Sequence, residues 1–196
     1  MKYAVVISFI MLVSSNFQAM TQELPYREIP PYPADYSAGN IVARTIDGLG
    51  FRYYWATDSL RPEDLEYKPS EEARTAMETL QHIYGLADVI YNGAVGKPNV
   101  RPIDFTKYPF EELRKLTLLN LQKASEAMAG KSAEDIAKLN ITFKSQSGSS
   151  ESAYWHMLNG PLADALWHTG QIVSFRRASG NPFNSKASVF TGKVRQ

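Results

Sequence analysis

The chain has 196 residues, and 21 lysines and arginines against 20 aspartates and glutamates give it a formal net charge of +1 at pH 7. Acidic and basic residues alternate along the chain with no basic stripe interleaved with aromatic residues, so we expect no nucleic-acid partner and a small-molecule substrate instead. The chain has no cysteine, which excludes disulfides, a thiolate nucleophile, thiolate metal ligands and a lipidated cysteine.

The N-terminus has the pattern of a secretory signal peptide. Lys2 precedes an apolar run from Tyr3 to Val13, and a polar stretch follows it. The run is too short to span a membrane comfortably, whereas it suits a signal sequence. We therefore predict a signal peptide over residues 1–19, export to the periplasm or the extracellular space, and no membrane partner after processing. An ordinary N-terminal core segment is the alternative. Residues 20–35 are proline-rich and predict an extended lead-in.

Residues 36–196 are expected to form one helical domain. Apolar residues at helical spacing predict four helices, over about 37–58, 71–93, 109–129 and 150–179. Ser70 is the expected N-cap of the second helix. Pro109 suits the first turn of the third, and Gly130 its end. The Gly160-Pro161 pair inside the fourth helix predicts a kink or a restart.

The segments between these helices are polar or rich in glycine and proline. NGAVGKPNVRPIDFTKYP at 92–109 predicts a long crossover. Ser132 is expected to begin a short helical turn, and ITFKSQSGSS at 141–150 predicts one short strand or a loop. The expected fold class is therefore all-α: a four-helix bundle of the up-down-down-up type with one long crossover.

The sequence DALWHTGQI at 164–172 holds the most specific functional signal. Asp164 and His168 are four residues apart, so a helix places them on one face, and Gln171 continues that face. His82 shares a helical stripe with Thr79 and Leu86. Two imidazoles and one carboxylate, with positions left for water, suit Zn²⁺, Ni²⁺ or Fe²⁺.

Structural roles are the alternatives for these residues. A core histidine is commonly a hydrogen-bonded structural residue, and Asp164 can simply orient His168 as an i,i+4 pair. Gln171 can support a ligand through its amide or merely pack between helices. Arg176 and Arg177 suit a solvated or carboxylate-paired helix end, with anion binding as the other reading.

Two segments resemble the DinB/YfiT superfamily of four-helix metalloproteins: LRPEDLEYKPSEEARTAMETLQHIYGLADVI at 60–90 and HMLNGPLADALWHTGQIVSFRRASGNP at 156–182. In that family a second-helix histidine follows a Pro-Ser connection, and His82 matches it. A fourth-helix histidine precedes one residue and then Gly-Gln, as His168 does. The position four residues earlier, a histidine in the family, is Asp164 here. The resemblance implies a divalent metal held by His82, Asp164 and His168, and it also implies a homodimer.

The expected function is that of an exported metal-dependent enzyme, hydrolase-like and of unknown substrate. Gln171 is expected to support the ligands, and Asp164 or Glu78 to move a proton. The resemblance implies a second function, because some family members are transferases or isomerases that use thiols such as bacillithiol or mycothiol. Export argues against it, since these thiols are cytosolic. A metal-free bundle that binds a small ligand or a partner helix is the third possibility.

Overall fold

A computed structural model describes residues 23–196 of the chain, so the predicted signal peptide lies outside the described residues. Four long helical segments form the framework. Three are continuous helices: α1 (Ala38–Thr57), α3 (Ala76–Ala94) and α4 (Phe110–Met128). The fourth, near the C-terminus, consists of α6 (Trp155–Met157), a π-helical stretch (Leu158–Leu162) and α7 (Ala163–Ala178). Short elements join them: α2 (Pro62–Glu66), a 3₁₀ turn (Phe105–Lys107) and α5 (Ala133–Ala137). No helix within residues 23–196 combines the length and apolarity needed to cross a bilayer.

Local capping chemistry explains where these helices begin. Thr75, not the expected Ser70, caps α3: its hydroxyl accepts from the Glu78 amide, and the Glu78 carboxylate accepts from the Thr75 amide. This reciprocal capping box satisfies two backbone donors at once, which the Ser70 start does not offer. Ser132 and Asp135 make the same arrangement at α5. α4 begins directly after Pro109, as predicted, and Gly130 with φ of 74° lies just beyond its end.

The long helices enclose one apolar core. α1 packs against α4 and α7, and α3 packs against the same two helices from the other side. Fully buried residues from all four segments meet there, among them Ile46, Leu49, Tyr53, Leu80, Ile83, Ile90, Leu113, Leu118, Leu121 and Met157. Burial of each large apolar side chain contributes about 1.5–3 kcal/mol. This core holds α3 and α7 side by side, which positions the candidate site.

The prediction of an all-α four-helix bundle is wrong, because the chain also forms two sheets. β2 (Asn140–Ser145) and β3 (Gly148–Ala153) make an antiparallel hairpin, and β1 (Asn99–Val100) pairs with β2 in parallel. The hairpin includes the stretch expected to hold one strand or a loop. It is stable because Ile141 is buried against the helices and Phe143 packs beside it, while the other face is solvated.

The first and last segments within residues 23–196 also pack on the bundle. β4 (Ala187–Ser188) and β5 (Lys193–Val194) form a second small hairpin after α7, in the segment expected to be a polar tail. In the N-terminal lead-in, the buried Tyr26 lies against Gly50 of α1 and donates to Asp47 over 3.1 Å. Burial raises the pKa of both the Tyr26 hydroxyl and the Asp47 carboxyl.

Candidate metal centre

The candidate site lies where α3 meets the first turn of α7. The π-helical stretch immediately before α7 contains Pro161, which cannot donate an amide hydrogen bond. Widening to π geometry accommodates this proline without breaking the helix, so the predicted kink or restart is instead a π-helical insertion. Asp164 therefore lies in the first turn of α7, three residues after Pro161 and facing α3.

The structure brings the three predicted ligands together. Nε2 of His82 lies 3.0 Å from Oδ2 of Asp164, and Nε2 of His168 lies 3.3 Å from Oδ1 of the same carboxylate. The two imidazole rings are 4.7 Å apart at an interplanar angle of 90°. One ligand atom from each residue lies within 4.8 Å of the other two. His82 and Asp164 are separated by 82 positions in the chain, so the fold brings them together, whereas helical spacing joins Asp164 to His168.

Gln171 fixes the orientation of the His168 ring. Oε1 of the Gln171 amide lies 2.7 Å from Nδ1 of His168. An amide oxygen only accepts, so this hydrogen bond places the ring proton on Nδ1 and leaves a lone pair on Nε2 of the neutral ring. That lone pair faces a carboxylate oxygen, which is also an acceptor. The contact is favourable when a proton or a metal ion lies between the two atoms.

The donor set fits a first-row divalent metal. Zn²⁺ binds imidazole nitrogen at about 2.0–2.1 Å and carboxylate oxygen at about 2.0–2.2 Å, which in tetrahedral geometry separates neighbouring donor atoms by about 3.4 Å. The two nitrogen–oxygen separations of 3.0 and 3.3 Å involve different oxygens of the Asp164 carboxylate, and they show that the donors lie close enough to share one ion. The exposed side-chain fractions are 34% for His82, 38% for Asp164 and 18% for His168. The centre is therefore shielded on one side and open to ligands on the other.

His82 also lines a cleft of about 630 Å³ on the surface of α3. The cleft runs from the start of α3 to the segment after β1 and the hairpin strand β2. Most of its wall is apolar: Leu86, Val89, Ile103, Phe105, Phe143 and Pro161. The polar groups that line it are Arg74, Glu78, Gln81, His82 and Arg101. Its volume is in the range of clefts that hold small molecules.

Glu78, the expected proton carrier, lies in this cleft but is engaged elsewhere. Its carboxylate accepts from the Thr75 amide and hydroxyl, and these hydrogen bonds hold its pKa below the usual range. No hydrogen bond within residues 23–196 joins Glu78 to His82, Asp164 or His168. Its position one helical turn before His82 nevertheless keeps it on the cleft side of α3.

Other residues singled out from the sequence lie away from the centre. His156 is exposed. Arg176 is buried and donates to the backbone oxygens of Trp55, Ala56 and Asn181, so it fastens α7 to the end of α1 rather than binding an anion. Arg101 and Phe143 were not singled out from the sequence. They reach the cleft because β1 pairs with β2, and no local signal marks that long-range pairing.

No protein-family model, curated protein or solved structure matches this chain. The resemblance to the DinB/YfiT superfamily therefore depends on the sequence motifs alone and stays a prediction.

Proposed function

We propose that the chain binds one divalent transition metal ion through His82, Asp164 and His168 and uses it in a hydrolytic reaction. The observation that carries this proposal is the convergence of two imidazoles and one carboxylate, whose ligand atoms lie within 4.8 Å of one another. Gln171, whose amide oxygen lies 2.7 Å from Nδ1 of His168, would orient that ligand, as outer hydrogen bonds do in metal sites.

Zn²⁺, Ni²⁺ or Fe²⁺ held by His82, Asp164 and His168 would supply Lewis-acid chemistry, which lowers the pKa of water toward neutrality. The chain's own residues supply the rest. The cleft beside His82 binds the substrate and excludes water along its apolar wall. Asp164 presents two carboxylate oxygens to the centre, so one can accept a proton while the other serves as a ligand. Glu78 contributes a carboxylate to the wall of the cleft, which Asp164 does not line.

The choice of hydrolysis over thiol transfer depends on the predicted export. An exported protein has no access to cytosolic thiol cofactors, and this chain has no thiol of its own. Hydrolysis needs only water as the second reactant. A thiol-dependent S-transferase remains the alternative that a cytosolic location favours, and a fusion reporter at the C-terminus distinguishes the two locations.

The experiment uses residues 20–196, stripped of metal by a chelator, reconstituted with Zn²⁺, Ni²⁺ or Fe²⁺ and assayed with a panel of aryl esters and anilides. We expect activity that needs the ion and is lost in H82A, D164A and H168A. H156A is the matched control, because His156 is an exposed histidine outside the cluster. Activity that persists in all three ligand variants, or in the stripped protein, contradicts the proposal.

A further inference from the structure

Arg101 lines the cleft, whereas Asp88, the carboxylate that pairs with it, does not. The Arg101 guanidinium lines the cleft with 26% of its side chain exposed, and it pairs with Asp88 over 3.1 Å. Asp88 is not among the residues that line the cleft. The positive charge is therefore presented to any molecule bound there, and the negative charge lies behind it.

The guanidinium is held rigidly but is not saturated. Nη1 donates to Asp88 and to the Val100 carbonyl, and Nη2 donates to the Gly85 carbonyl, each over 3.1 Å. A guanidinium has five N–H groups. Within residues 23–196, Nε–H and the second N–H of Nη2 have no protein partner, so two donors remain for a ligand. This is the number that a carboxylate can engage with its two oxygens.

The small sheet fixes the position of this arginine. The Arg101 amide donates to the Lys144 carbonyl over 2.9 Å, and the fully buried Asn99 donates to the Thr142 carbonyl and accepts from Asn92 of α3. The guanidinium also lies 5.8 Å from the centre of the Phe143 ring. The elements that separate this fold from a plain helical bundle thus place a cation beside an apolar wall.

The residues that hold this cation on α3 are offset from His82 along the helix axis. The guanidinium is hydrogen-bonded to Gly85 and Asp88, three and six positions after His82. A helix rises 1.5 Å per residue, so these two residues lie about 4.5 to 9 Å along the axis from His82. His82 and Arg101 both line the cleft, so a small molecule bound there can contact both.

We propose that the substrate is a small carboxylate with an apolar body, whose carboxylate binds Arg101 while the bond to be hydrolysed lies at the metal centre. The apolar body packs against Leu86, Val89 and Phe143 between the two ends. An acylated apolar amino acid, or an ester or amide of similar length, has this chemistry. The reaction adds water across the acyl bond and yields two products, one of which keeps the carboxylate. That this carboxylate is a substrate depends on the hydrolytic function proposed above. That Arg101 binds a carboxylate does not depend on it.

The test compares 3-phenylpropionate with its neutral analogue 3-phenylpropanamide by isothermal titration calorimetry, on metal-free and zinc-loaded protein. We expect the carboxylate to bind more tightly than the amide on both forms, and R101Q to weaken the carboxylate at least about tenfold while leaving the amide unchanged. D88N should strengthen carboxylate binding, because it removes the competing anion. If the Arg101–Asp88 pair only stabilised the fold, both R101Q and D88N would weaken binding of the carboxylate. R27Q, which changes an exposed arginine of the lead-in, is the control for net charge.

The outcomes separate this inference from the metal proposal. Carboxylate binding that needs zinc and is unchanged in R101Q means that the probe ligates the ion, and it overturns the Arg101 assignment while supporting the metal centre. Carboxylate binding that depends on Arg101 in a protein that takes up no metal supports the Arg101 assignment and overturns the hydrolytic function. Equal affinity for the acid and the amide overturns the Arg101 assignment in either case.

Discussion

Replacing Gln171 with alanine should weaken metal binding without touching a ligand. The Gln171 amide oxygen lies 2.7 Å from Nδ1 of His168 and sets which ring nitrogen keeps its lone pair. Loss of an outer hydrogen bond of this kind typically weakens metal affinity about 10- to 100-fold. This corresponds to about 1.4–2.7 kcal/mol of binding free energy. The fold should be retained, because Gln171 is only partly buried.

The Gln171→Glu variant decides the direction of this hydrogen bond. A glutamate only accepts, so it keeps the proton on Nδ1, and we expect Q171E to retain zinc affinity within a few-fold of the parent or to exceed it. The assay is competitive titration of zinc against a fluorescent chelator at pH 7.5, with Q122A as the control at a partly buried glutamine of α4. Unchanged affinity in Q171A, or equal losses in Q171A and Q171E, would refute this reasoning.

Three further predictions concern the scaffold. The Asp64 side chain is 1% exposed and accepts hydrogen bonds from Arg61, Ser179 and Asn181, which lower the pKa of its carboxyl. D64N should therefore lower the free energy of unfolding by about 3 kcal/mol at pH 7, measured by urea titration. Because the folded-state pKa is depressed, this contribution is complete above about pH 4, the unfolded-state value, and is lost as the pH falls further, so parent and D64N should converge in acid. A Cβ at Gly50 overlaps the Tyr26 ring, so G50A should destabilise the fold by about 1–3 kcal/mol in the same titration, whereas G170A, which meets open space, should not. Asn99→Ala should speed amide exchange in β1 and β2, measured by mass spectrometry, with little change in α4.

Periodicity in the sequence identifies the long helices because each one buries a single continuous stripe. α1 and α4 begin and end within two residues of their predicted bounds. The start of α3 is misplaced, because the prediction weighed only Ser70 and the two glutamates after it. Thr75 and Glu78 have the T-x-x-E spacing of a capping box, whereas Ala73 stands three residues after Ser70, so this signal was present in the sequence.

The sheet of β1, β2 and β3 was not predicted, for a different reason. Asn99 pairs with Phe143, more than forty residues away, so nothing local marks β1 as a strand. β3 is exposed along its whole length and lacks the apolar alternation that identifies a half-buried strand. The same limit applies to the site. Asp164 and His168 are linked by helical spacing, but their proximity to His82, and the presence of Arg101 in the cleft, follow from tertiary packing.

Elemental analysis of residues 20–196, purified without a chelator or a histidine tag, tests the metal centre most directly. The parent and H156A should each carry close to one equivalent of zinc, nickel or iron per chain, and H168A should carry none. The far-ultraviolet circular dichroism of H168A must match that of the parent, which shows that loss of metal is not due to unfolding. A parent protein that remains metal-free after incubation with excess ions of all three metals contradicts the account, because the acceptors at His168 and Asp164 would then share a proton instead of an ion.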